Sequence, residues 1–203
     1  RVIIDTKDVR SRFIVESPMH FNVWDKIIRK EILDHNCIRF PEQVAYEDIY
    51  FGALLHLYVR KVAYVDAIYY HYYINPASTV LKKEAAYHGD IITVNEMLVE
   101  TLKERGFWET YQKSLEIDLL FIWYLATVKI ICLRFEKPPY EMFCRLKRSI
   151  LFYIPECLKN PYIPVYMKEF YQLLLKLLEI EVTPPVLDQV AEQYKQYVQT
   201  YEG

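Results

Sequence analysis

Apolar residues recur along this chain in two rhythms, and the change between them falls near residue 81. Before it the texture is mixed. Residues 24–35 place Trp24, Ile27, Ile28 and Ile32 at the spacing of one helical face. Asn36 is suited to end that helix in the left-handed conformation. A short extended piece, Cys37 to Phe40, is halted by Pro41. Residues 46–59 are apolar nearly all round and predict a well-buried helix. Residues 61–74 are dense in β-formers and predict one or two strands. The turn-forming residues Asn75, Pro76, Ala77 and Ser78 predict a loop after them. From residue 82 onward the pattern is helical. It predicts helices over 84–105, capped by Gly106, and over 108–134, 140–153, 165–180 and 185–201. The proline pairs at 138–139 and 184–185 mark turns between helices. The most apolar run, residues 119–128, is flanked by Asp118 and Lys129. It has about half the roughly 20 residues that a transmembrane helix needs, and so predicts a buried helix.

Composition narrows the classes. With 53% hydrophobic residues, 19 tyrosines and 10 phenylalanines, the chain holds too much buriable surface to be disordered. Its 203 residues suffice for one good-sized core, or a small domain with an appendage. A net charge of −2 lacks the basic footprint of a nucleic-acid binder, and no nucleic acid is expected as a partner. Only four glycines occur, with neither GxGxxG nor GxxxxGK[ST], so no phosphate-cradling glycine loop is expected. Cys37, Cys132, Cys144 and Cys157 are widely spread and form no CxxC pair. They predict buried free thiols in a reducing cytoplasm, not a zinc site. No secretory signal is legible, and the chain opens on Arg1 directly into Val2, Ile3 and Ile4. It is expected to be a piece of a longer protein.

The sharpest candidate chemistry is the adjacent pair Glu47 and Asp48 at the start of an otherwise apolar helix. Two readings stand side by side. Carboxylates in a first helical turn face the positive end of the macrodipole and stabilise the helix. A carboxylate on a rigid helix start beside a cleft is also placed to take a proton from an attacking hydroxyl.

Around that pair stand Val23-Trp24-Asp25-Lys26-Ile27, Ile38-Arg39-Phe40, Tyr46 to Phe51, Val62 to Asp66, Tyr70-His71-Tyr72 and Asn75 to Thr79. In order and spacing, residues 22–79 resemble the second half of bacterial family 2 glycosyltransferases of GT-A fold. The resemblance implies an α/β parent domain that residues 1–81 complete, with residues 82–203 as an all-α appendage. This chain itself would be mostly helical with a few strands. It further implies inverting transfer of a sugar from a nucleotide-sugar donor to the hydroxyl of a glycan or lipid-linked acceptor, in surface glycan synthesis. The setting would be the cytoplasm, at or near the inner face of the membrane.

Residue by residue, Asp48 matches the family's catalytic base and Glu47 a supporting carboxylate. Lys26 and Trp24 match a helix beside the donor and acceptor cleft, where Lys26 would offset diphosphate charge and Trp24 would face a sugar ring. His71 and the Tyr73, Asn75 and Ser78 segment match the loop that closes over the nucleotide, with His71 a candidate ligand for a divalent metal, manganese or magnesium. Each position has an ordinary alternative: a solvated lysine, a core tryptophan, a hydrogen-bonded structural histidine, and Ser78 as a helix N-cap.

The chain departs from the family pattern in three places. Asp25 stands where asparagine is usual. Tyr73 stands where arginine is common, which removes a bidentate phosphate donor. No DxD motif is present; Asp5 and Asp8 are spaced DxxD. The chain alone is therefore expected to lack the donor-binding half and to be inactive. A reading of another class is a non-catalytic helical interaction module. In the helical part, Arg145, Lys147 and Arg148 lie among apolar residues. That pattern fits either peripheral contact with an anionic membrane or ordinary helix packing with a basic edge. The aromatic stripe of residues 162–171 is expected to serve helix packing.

Overall fold

The run predicted as a buried helix is the hub of the first part. Helix α3, Glu47–Tyr58, buries every residue from Phe51 to Leu57. Such a helix must be covered on several sides. In the computed structural model, which describes all residues except 17, 18, 20, 74, 76, 77, 79–81, 202 and 203, α1 (Lys7–Glu16) and α4 (Asp90–Glu104) pack on it. Helix α1 also lies along α5, Phe107–Leu119. Strands β1, Val2–Ile3, and β2, Lys61–Val62, pair antiparallel, Val2 opposite Val62. These two short strands are the only ones among the described residues, which are otherwise mainly helical.

Four expectations for this part need correction. Of residues 24–35, only α2, Lys30–His35, is helical. The apolar stripe does not share a face, because Ile27 is fully exposed while the Trp24 ring meets Tyr70 and Tyr72. The left-handed residue after α2 is Cys37, at φ 49°, not Asn36 at φ −106°. Asn36 instead donates its side-chain amide back to the Ile32 carbonyl at 2.8 Å. Residues 37–40 form no strand, since Ile38 N–H turns back to Leu33 O at 2.9 Å. Finally, of residues 61–74 only Lys61 and Val62 enter a ladder. Ala63 to Tyr73 run as exposed irregular chain, and Ile74 lies outside the described residues. β-propensity describes fit to a pleated neighbour, and among the described residues no strand flanks this stretch.

The second part follows its pattern more closely. A 3-10 turn, Ala86–Gly89, leads into α4, and Gly106 takes the expected left-handed conformation at φ 71°. Residues 107–133 form one helical run in which α5 passes through a π-helical segment, Leu120–Leu125, into α6, Ala126–Leu133. Within it Trp123, Tyr124 and Val128 are completely buried. No helix among the described residues is long and apolar enough to cross a membrane.

Helix α7, Tyr140–Tyr153, has the predicted limits. The predicted helix 165–180 is instead broken into α8, Ile163–Tyr166, α9, Glu169–Leu175, and a 3-10 turn, Lys176–Leu178. The break falls at Met167, which is extended and buried. Helix α10, Pro184–Tyr201, packs on α6. One hydrophobic cluster joins Ile4, Phe13 and Leu54 to Ile92, Trp123, Ile150 and Tyr194, on both sides of residue 81.

Two surface expectations resolve at this level. Arg145 donates to Thr93 Oγ1 at 2.9 Å and to Glu96 at 3.0 Å on α4. Lys147 donates to the Leu177 and Ile180 carbonyls, leaving Arg148 exposed. Two of the three cations of α7 thus serve packing. In the aromatic stripe, Phe170 lies parallel to Tyr197 of α10 at 3.8 Å. Among the cysteines, Cys132 and Cys157 are buried and Cys144 half-buried, but Cys37, expected inside, is exposed.

Candidate functional site

The start of α3 is set by Tyr46, which takes a left-handed conformation at φ 64° and turns the chain sharply into the helix. No side chain caps that end. Glu47 projects into solvent, and Asp48 is half-buried. Burial, and then the Glu47 charge, push the Asp48 carboxyl above its ordinary range. The N–H groups of Asp48 and Ile49 and the Lys26 ammonium pull partly the other way. The direction is that of a carboxylate with enhanced proton affinity, which suits a general base.

Lys26 reaches this point from the loop before α2. Its ammonium donates to the Asn22 carbonyl and to the Asp25 carboxylate. Asp25, the residue standing in place of asparagine, thus partly neutralises the cation that the resemblance assigns to a diphosphate. The same loop carries Trp24, 44% exposed. Its ring stacks on Tyr70 at 4.8 Å and 26° and tilts against Tyr72 at 5.2 Å.

What presses the loop onto α3 is Gly52, whose added Cβ would lie 2.6 Å from Phe21 Cδ1 and 3.0 Å from Phe21 Cα. A bare backbone at position 52 lets Phe21 sit against the helix. Below it His56, almost fully buried, donates Nε2–H to the Met19 carbonyl at 3.0 Å.

The structure therefore brings the Lys26 charge to bear on Asp48, with Glu47 beside it, and joins Trp24, of the same loop as Lys26, to Tyr70 and Tyr72. The other candidates follow Tyr70 along the chain. His71, Tyr73 and Asn75 are exposed. Ser78 N–H closes a turn onto the Asn75 carbonyl at 2.9 Å, while Pro76, Ala77 and Thr79 of that loop lie outside the described residues. Ser78 is not a helix cap, because the position before the 3-10 turn is Ala85 and the one before α4 is Gly89. Among the described residues no group of three or more His, Cys, Asp or Glu side chains is arranged to hold a metal ion.

Sequence reasoning missed the residues that brace the helix start. His88, completely buried, donates Nε2–H to the Lys82 carbonyl at 2.9 Å, so its Nδ1 accepts the Tyr46 hydroxyl at 2.6 Å. Burial pushes the Tyr46 hydroxyl up to about 12. Asp90 accepts the Ala45 N–H at 3.0 Å. Nothing local in the sequence signals a bond between residues more than 40 positions apart. No protein-family model matches the chain, no curated protein is detectably similar, and no solved structure matches its fold.

Proposed function

We propose that this chain is the acceptor-side portion of an inverting glycosyltransferase of the family 2, GT-A type, with Asp48 as the base that deprotonates an acceptor hydroxyl. The observation that carries the reading is the placement of Asp48: half-buried on a braced helix start, raised in proton affinity, and within reach of the Lys26 charge from the loop that also carries Trp24. Glu47 adds negative charge that favours protonation of its neighbour. Trp24, stacked with Tyr70, offers a flat apolar face of the kind that sugar rings lie on. The donor would be a nucleotide sugar and the acceptor a glycan, free or lipid-linked. Any manganese or magnesium ion neutralising the donor diphosphate would be held largely by residues of the donor-binding half.

The backbone N–H groups that Asp48 accepts favour a second reading, in which the carboxylate only finishes a helix end within an interaction module. One substitution separates the two. In the full-length protein, Asp48→Asn lowers glycosyl transfer or donor hydrolysis by about 10²–10⁴-fold if Asp48 is the base. Its thermal midpoint holds or rises, because a charge that the fold disfavours has been removed. Retained activity, or a clear loss of stability with no loss of turnover, assigns Asp48 to the helix end.

A further inference from the structure

At the far end of α3 lies a cleft of about 540 Å³ that the carboxylate pair does not reach. It opens between α1, α2, the C-terminal turn of α3 and the start of α5, with Arg10, Arg60, Tyr58 and Tyr111 on its walls. Asp48 and Tyr58 are ten residues apart on one helix, about 15 Å at 1.5 Å per residue. The volume is within the usual range of a small-molecule site, roughly 300–1,000 Å³.

The cation in this cleft is incompletely matched. Arg10 as a residue is 7% exposed. Its Nη1 donates to the His56 carbonyl at 2.6 Å, and it donates also to the Tyr111 hydroxyl. Both acceptors are neutral. Burial, and to a lesser degree the charge of nearby Arg60, outweigh the Tyr111 hydroxyl, so the Arg10 proton is held less tightly than usual. Among the described residues no ion pair reaches either arginine. The one carboxylate on the wall, Glu31, is exposed.

A buried charge without a counter-charge is costly. A guanidinium also carries five N–H donors, of which these contacts use only some. Helix α5 leaves helical geometry at Tyr111, φ −127° and ψ 19°, the residue whose hydroxyl meets Arg10. Leu57, Tyr58 and Phe107 make the remaining wall apolar.

We propose that this cleft binds a small oxyanion, a phosphate or carboxylate group carried on an apolar or aromatic body, with Arg10 as the inner and Arg60 as the outer cation. The site is independent of the glycosyltransferase reading and stands or falls by itself. Phenyl phosphate and benzoate, with inorganic phosphate as the head group alone, are titrated into the full chain at constant ionic strength by calorimetry or amide-shift NMR. At least one is expected to bind saturably, with Kd near or below about 1 mM. Comparison of phenyl phosphate with benzoate assigns the anion.

Arg60→Glu, at an exposed position, is expected to keep the wild-type melting curve and weaken binding at least about tenfold. Glu31→Gln is expected to hold or tighten it. Arg10→Met would remove binding, but it also removes the contact with the end of α3, so Arg60→Glu carries the decision. Absence of saturable binding by all three probes, or equal affinity in a folded Arg60→Glu protein, overturns the proposal.

Discussion

Lowering the pH should destabilise this protein through one ring beneath the candidate site. His56 is 2% exposed, with the edges of Phe13 and Phe21 packed around it at centroid distances of 5.6 and 5.1 Å. Its Nε2–H is committed to the Met19 carbonyl, and Nδ1 is buried with no partner among the described residues. Protonation would place an N–H at Nδ1 with nothing to accept it, near the Arg10 and Lys26 charges. Burial, opposed by the Met19 contact, therefore brings the His56 value down from 6.5 to about 4.

The sign follows from proton uptake. Below pH 6.5 the unfolded chain binds a proton at His56 that the native state refuses, so stability falls as the pH drops toward 4 and this contribution levels off below it. At about 1.4 kcal/mol per pH unit, the loss over that window is on the order of 3 kcal/mol. That is a large part of a typical total of roughly 5–15 kcal/mol.

Urea unfolding followed by tryptophan fluorescence, repeated from pH 7 to pH 4, measures it. Carboxylates elsewhere also titrate, so the comparison is with His56→Gln, which keeps a side-chain N–H for Met19 and cannot charge. The wild-type curve should fall below the variant's by about 3 kcal/mol between pH 6.5 and 4, whatever their offset at pH 7. Parallel curves over the whole window would refute the reasoning.

Two further substitutions test the packing. Gly52→Ala should gain up to about 1 kcal/mol from helix propensity. The contact of the new Cβ with Phe21 should cost about 1–3 kcal/mol and win. In a Phe21→Ala background the cost of Gly52→Ala should shrink, since the 2.6 Å contact with Cδ1 is gone while those with Phe21 Cα and Cβ, at 3.0 and 3.2 Å, remain; calorimetric melting of the four proteins reads the cycle. Asn160, 4% exposed, donates to the Lys113 carbonyl and to the equally buried Glu116 carboxylate, each at 2.8 Å. Asn160→Ala should cost about 2–3 kcal/mol by chemical denaturation. Asn160→Asp should cost more, since it sets one carboxylate against another. An Asp variant as stable as wild type would show that Glu116 does not need the donor.

The acidic pair was legible from the chain alone as the opening of a buried helix, because helix periodicity and the clustering of charge at its first turn are short-range properties. The nearness of Lys26 to Asp48 was not, since residues 24–29 are no helix and the loop is placed by Phe21 against Gly52. Helices α7 and α10 and the left-handed Gly106 were likewise written locally, in repeating apolar positions and in residue types that tolerate a helix end.

Other features depended on partners far along the chain. Residues 63–73 have strand-forming side chains but no strand beside them, and a β-ladder cannot be made by one segment. The helix expected over 165–180 broke where Met167 turned into the core. The Tyr46–His88 bond, the His56–Met19 bond and the nearness of Arg10 to Arg60 join residues 37 to 50 positions apart. Local sequence specifies helices because each turn is closed by its own neighbours. Which buried charges and rings face one another was decided only when the helices packed.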